Sequence, residues 1–290
     1  MRNARLWFVL VVATLFARAA SGAGGPAPKI LQTPGGIRYG LLGERHAAPA
    51  PTLFLFATTI ETTLGDANYS QVGRVLLPAG VLVVSVDVPG HGQDRREGEP
   101  DGIAAWPGRV SRDEALVGDF AKRCSAVLDH LVAEKQADPG RVGAAGTSRG
   151  GYMALQFAAA DPRVRAVAGF APVTRPAVLT EFSGMKTDPR VEALALTTVA
   201  DRLAGRSVWL TIGNDDARVS TDECVAFARR LVAVSKEGEQ KAASGTASDP
   251  KSADAKLRDV SIEVLPAAGH RTPIGAHERA AAWFKVRLAK

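Results

Sequence analysis

Cysteine is scarce in this sequence: Cys124 and Cys224 are the only two in 290 residues. That excludes a disulfide scaffold, and no Cys/His cluster has the spacing of a structural zinc site. An exported chain could pair the two thiols. Each falls in a helix-like segment at a different place on the expected sheet, which favours two buried free thiols. Charge of one sign is also scarce. The formal net charge is +6, and three basic residues, Arg2, Arg5 and Arg18, lie in the first 20 positions with no acid among them. Setting those three of the 36 basic residues aside leaves 33 against 30 acidic ones. So small an excess argues against a nucleic-acid partner. No apolar run reaches membrane-spanning length. The run Leu6 to Phe16 is too short to cross a bilayer comfortably.

That short run has another reading. It follows the positive Arg2 and Arg5, and small residues come after it, with Ser21-Gly22-Ala23 shaped like a cleavage site. Residues 1–23 therefore read as a signal peptide, with an uncleaved anchor as the alternative. A secreted or periplasmic protein is expected, without stable membrane insertion once the signal is removed. Residues 24–36 read as a linker, and the folded domain as 37–290.

What the chain does have is alternation. Leu53–Ala57, Val81–Asp87, Arg141–Ala145, Val164–Phe170, Val208–Gly213 and Val260–Leu265 are short apolar runs of the kind buried on both faces of a parallel sheet. Ile37–Leu42 reads as an outer strand. Helical stretches lie between: Asp113–Lys135, with apolar residues near a 3.6 period, then Gly150–Ala160, Thr221–Ser235 and Gly275–Leu288. Strands alternating with helices predict an α/β fold, a doubly wound and mostly parallel sheet. Two segments break the rhythm. Residues 171–206 are long for a connection and could form a small cap. Residues 236–256 are polar and small, and read as a disordered surface insertion.

The chemistry centres on Gly146-Thr147-Ser148-Arg149-Gly150, a G-x-S-x-G run entered from a short strand and left by a helix. In that context the serine sits on a strained turn above the sheet edge, and the helix start favours developing negative charge on an attacked oxygen. The bland reading is a tight Gly-rich turn without chemistry.

The segment Asp138 to Leu155, with Asp138-Pro-Gly-Arg-Val-Gly ahead of Gly146-Thr-Ser148-Arg-Gly-Gly151, resembles the nucleophile region of the prolyl-oligopeptidase-like and esterase branch of the α/β hydrolases. Val86-Asp87-Val88-Pro89-Gly90-His91-Gly92 resembles the post-strand loop of that superfamily. The likeness spans roughly residues 50–290 and leaves no room for a propeller domain. It implies the catalytic order Ser…Asp…His. His270, after the last strand, then takes the place of the base, while His46, His91, His130 and His277 do not; His91 remains a candidate pocket residue. The acid belongs in Gly213-Asn-Asp215-Asp216-Ala-Arg-Val219, where the superfamily's G-x-x-D-x-x-V pattern selects Asp216 over Asp215. The gap from Asp216 to His270 is long for the family, and excising 236–256 brings it to an ordinary length. One oxyanion-hole donor is expected from the Arg149 amide and the second from the loop after Phe56. Many relatives carry His-Gly there. This chain has Ala57-Thr58-Thr59, so Thr58 or Thr59 is the candidate. The Arg149 side chain either faces an acidic or polar substrate group or serves as a structural ion-pair partner. Trp106 and Arg175 lie in segments that could border the pocket.

Together these features point to hydrolysis of a small ester through an acyl-Ser148 intermediate, needing no metal or organic cofactor. A short-peptide serine peptidase and a catalytically silent binding protein are the competing expectations.

Overall fold

The computed structural model describes residues 26–44, 47–243 and 259–289. The signal-peptide reading of residues 1–23, His46, and residues 244–256 of the expected insertion all lie outside the described residues. In chain order the elements are β1 (Lys29–Gln32), β2 (Arg38–Leu42), β3 (Ala50–Phe56), α1 (Ile60–Gly65), α2 (Ala67–Leu76), β4 (Leu82–Ser85), α3 (Trp106–Ser111), α4 (Leu116–Ala133), β5 (Ala137–Thr147), α5 (Arg149–Ala160), β6 (Val164–Phe170), α6 (Pro189–Glu192), β7 (Ser207–Asp215), α7 (Thr221–Ala243), β8 (Val260–Ala268) and α8 (Ala276–Arg287).

The eight strands form one sheet in the order β1-β2-β4-β3-β5-β6-β7-β8. β1 and β2 pair antiparallel, β2 joins β4 antiparallel, and every other pairing is parallel. From β3 the chain steps outward to β4 and then crosses back to β5 on the other side of β3. That reversal places a crevice at the carboxyl ends of the central strands.

Alternation along β3 shows how the layers form. Phe54 and Phe56 point into one core with Phe120 of α4, Phe157 of α5 and Phe227 of α7. Leu53 and Leu55 point into the other core, with Leu64 of α1, Val72 of α2 and Phe284 of α8. Both faces are covered, which is why the central strands read as continuous apolar runs rather than alternating ones. α4 buries Leu116, Phe120, Cys124, Val127, Leu128 and Leu131 on one stripe, the 3.6 period seen in the sequence. Cys124 and Cys224 are both free and buried, and burial raises both thiols, Cys224 to about 12.

The structure differs from the sequence reading in three places. The segment read as linker contains β1, an edge strand mostly exposed, in register with β2 from Lys29 opposite Leu41 to Gln32 opposite Arg38. Two short helices, α1 and α2, were not anticipated between β3 and β4. Each begins at a side-chain cap, Thr59 accepting from the Thr62 amide and Asp66 from the Asn68 amide. α7 continues to Ala243, so residues 236–243 of the expected disordered insertion are helical. Straight-chain charged residues favour helix, and an Arg230–Glu237 ion pair of 3.2 Å lies on the exposed side. Residues 171–206 form short helical turns that bury Leu179, Phe182, Leu196 and Leu203 and place Val173 and Leu179 beside the central crevice.

Candidate functional site

Ser148 follows β5 directly and starts α5. Its φ of 55° and ψ of −118° are rare for a residue with a side chain. Tertiary contacts hold it there. Its amide donates to the Phe170 carbonyl at 2.9 Å, and its carbonyl accepts from Tyr152 and Val173, each at 3.1 Å. The turn closes because Gly146 and Gly150 have no side chains. A Cβ on Gly146 would stand 2.3 Å from the Gly150 carbonyl, and one on Gly150 would stand 2.1 Å from the Phe56 oxygen. The elbow is thus wedged against the end of β3.

The hydroxyl of Ser148 lies 2.9 Å from Nε2 of His270, and Nδ1 of His270 lies 2.8 Å from Oδ2 of Asp216. The three residues come from the carboxyl ends of β5, β7 and β8. A carboxylate only accepts, so Nδ1 carries the proton and Nε2 presents its lone pair to the serine. Asp216 is 3% exposed. Its second oxygen accepts from the amides of Arg218 at 3.0 Å and Val219 at 3.2 Å. Its own amide donates to Thr221 Oγ1, which donates to the Gly213 carbonyl at 2.6 Å. Asp215 is exposed at the end of β7 and does not meet the imidazole. The hold of Thr221 on the Asp216 turn is a tertiary detail with no local signal in the sequence.

The loop after β3 differs from expectation. Thr63 Oγ1 accepts from the amides of both Ala57 at 3.2 Å and Thr58 at 3.1 Å. Thr59 is spent on capping α1. The Thr58 amide is therefore engaged within the chain, whereas its hydroxyl is buried and has no partner among the described residues. Arg149, as the first residue of α5, has one of the open amides of the helix N-terminus.

Buried Asp87 organises the loop after β4. It accepts from the Ile60 amide at 2.8 Å, the Gln93 amide at 3.1 Å and Arg38 Nη1 at 3.0 Å. Trp106 is wholly buried and donates from Nε1 to the Pro89 carbonyl at 2.8 Å, so it backs this loop rather than lining a cavity. Arg175 is bound to Glu192 and Glu223, each at 2.9 Å, away from the nucleophile. Arg149 makes no ion pair among the described residues. It donates from Nη1 to Nε2 of His91 at 3.3 Å. The structural ion-pair reading of its side chain is thereby corrected: its polar partner is an imidazole, not a carboxylate. His91 Nδ1 lies 3.1 Å from the Pro89 carbonyl, which fixes the proton on Nδ1 and leaves Nε2 as the acceptor. Burial first, and the Arg149 charge second, hold His91 below the usual histidine range.

Two cavities meet at the site. The smaller, about 300 Å³, holds Ser148, His270, Arg149, Arg218 and Glu181 against apolar Val173 and Leu179. The larger, about 610 Å³, shares Arg149 and His270 and extends past Tyr69 and Arg271 to His277. His277 is 7% exposed and packs on Phe170 with ring centroids 4.3 Å apart. Burial pulls it down to about 4 from the ordinary 6.5. The unfolded chain therefore binds more protons between those values, and stability is retained above pH 6.5 and lost as pH falls toward 4. The loss should be about 2–3 kcal/mol. Thermal melts of wild type and His277→Phe at pH 7 and 4.5 test this: the variant should lose less Tm on acidification, and equal losses would refute it.

The fold is shared widely. The acetyl xylan esterase from Paenibacillus sp. R4 superposes with a TM-score of 0.63 at 14% identity, over 90% of this chain and 83% of that one. A cold-adapted esterase from an Arctic intertidal metagenomic library gives 0.59 at 17% identity, over 90% and 92%. The acylaminoacyl peptidase of Pyrococcus horikoshii gives 0.61 at 13% identity, over 91% of this chain but 42% of that one. "Hydrolase LUC6" of Fusarium sp is 38% identical over 95 residues, which are 31% of this chain and only 19% of that protein. Residues 66–241, which include Ser148 and Asp216, match the family described as serine aminopeptidase, S33. With its eight-stranded sheet and this match over more than half its length, the chain is a hydrolase-fold protein of the α/β-hydrolase superfamily and belongs to the serine aminopeptidase, S33 family.

Proposed function

We propose that this protein is a serine hydrolase that cleaves small carboxylic esters through an acyl-enzyme on Ser148. The observation that carries the reading is the hydrogen-bonded line from the Ser148 hydroxyl through His270 to buried Asp216. His270 Nε2 takes the proton as Ser148 Oγ attacks the ester carbonyl. The tetrahedral oxyanion is held by the Arg149 amide and a donor from Thr58 or Thr59. His270 returns the proton to the departing alkoxide, and water then repeats the sequence to release the acid. Asp216 holds the imidazole in the needed tautomer and stabilises its protonated form.

An aminopeptidase must receive a substrate ammonium with a free carboxylate. Beside this nucleophile the one carboxylate of the smaller cavity, Glu181, is bound to Arg218 at 2.6 Å, and Arg149 stands unpaired. That charge pattern favours the ester reading over an aminopeptidase. Turnover of short-chain p-nitrophenyl esters against aminoacyl-amide chromogens tests it: esters should be cleaved and amides not, and the reverse would overturn the assignment. The N-terminal segment supports placement outside the cytoplasm, secreted or periplasmic. Among the described residues no helix is long and apolar enough to cross a membrane.

A further inference from the structure

The smaller cavity contains two guanidinium groups and one carboxylate. Arg218 is matched by Glu181, and its Nη1 also donates to Thr180 Oγ1 at 3.0 Å. Arg149 makes no ion pair among the described residues and feels Glu181 only at longer range, so two cations share one carboxylate. Arg149 also lines the larger cavity, but the carboxylates there are engaged elsewhere: Asp66 accepts from the Asn68 amide and Glu278 from Gln71 Nε2. A half-buried cation without an ion pair of its own is costly in a free protein, and an arriving anion relieves that cost. The way Arg149 is held adds to this. Its Nη1 partner is the lone pair of a neutral imidazole, which fixes the guanidinium without cancelling its charge. A carboxylate at position 91 would have held it as firmly and neutralised it. Gly102 keeps the space open: a Cβ there would stand 2.8 Å from His91 Nε2.

We propose that the ester taken by Ser148 carries a carboxylate on the part entering the smaller cavity, and that Arg149, positioned by His91, selects it. The proposal rests on the ester-hydrolase reading above. A half-ester of a short dicarboxylic acid fits the requirement: one carboxyl is esterified and attacked, and the other, free, pairs with the guanidinium in the bidentate manner arginine permits. The cavity of about 300 Å³ admits a short acyl chain against Val173 and Leu179.

The test compares monomethyl with dimethyl succinate, two esters that differ in the free carboxylate, for wild type, Arg149→Met, Arg149→Lys and His91→Glu. In wild type kcat/KM should favour the monomethyl ester at least about tenfold, the scale of one charge-assisted hydrogen bond. Arg149→Met and His91→Glu should bring the ratio to near one, chiefly through KM for the monomethyl ester, and Arg149→Lys should retain part of it. As a second readout, free succinate should slow fluorophosphonate labelling of Ser148 in wild type and not in Arg149→Met. A wild-type preference for the dimethyl ester, a ratio unmoved by Arg149→Met, or labelling indifferent to succinate would overturn the proposal. If Ser148 is not labelled and neither ester is cleaved, the hydrolase reading itself fails and takes this one with it.

Discussion

Replacing Ser148 by alanine should reduce ester turnover by about three to six orders of magnitude and abolish fluorophosphonate labelling, while leaving the fold intact. The hydroxyl is the only atom removed, and it points to His270 rather than into packing. What holds the elbow is backbone: the Ser148 amide on Phe170 and its carbonyl under Tyr152 and Val173. Alanine keeps all three bonds. The variant should therefore melt within a few degrees of wild type, and its residual rate should reflect the oxyanion donors and binding alone. A turnover loss below tenfold in Ser148→Ala would remove the nucleophile from the account.

Gly150→Ala should have the opposite signature, a loss of structure first and of activity as a consequence. The added methyl would stand 2.1 Å from the Phe56 oxygen, 2.4 Å from its carbonyl carbon and 2.7 Å from the Ala57 Cα. All three are backbone atoms. β3 cannot retreat from them, because it is paired on both sides, with β4 from Thr52 to Phe54 and with β5 from Ala50 to Phe56. The helix must shift instead, and with it the turn that carries Ser148. A cost of at least about 3 kcal/mol is expected, of the size seen when a packed core is overfilled. That corresponds to a fall in Tm of roughly 6–12 °C for a domain of this size. Gly65→Ala is the control, since a Cβ at Gly65 meets nothing within 4 Å. It should melt at or slightly above wild type. Equal melting of Gly150→Ala and Gly65→Ala would show that the elbow is not wedged against β3.

The same two sites show what could be read in advance. Glycines two residues either side of a serine, between a strand and a helix, are a local signal, so the turn at 146–150 was legible. The places of Asp216 and His270 are implied by the resemblance, whose Ser…Asp…His order falls after successive strands here. Their meeting within hydrogen-bond distance is not, since it depends on the pairing of β5 with β6, β6 with β7 and β7 with β8. Central strands announced themselves because burial on both faces demands apolar residues throughout. β1 did not, because an exposed edge strand has no such demand. α7 was cut short at Ser235 because its last turns carry charge instead of an apolar stripe. Three features were out of reach for a different reason. The engagement of Thr58 by Thr63, the lack of an ion pair for Arg149 and the neutral tautomer of His91 are tertiary facts, set by residues that no short window of sequence contains.

The central claim is that three side chains from three strand ends act as one nucleophilic unit. Peptide mass spectrometry after brief exposure to a fluorophosphonate tests it most directly. Wild type should carry a single adduct on the peptide containing Ser148, and His270→Ala should label at least about 100 times more slowly. An adduct on any other residue, or equal labelling rates with and without the imidazole, would contradict it.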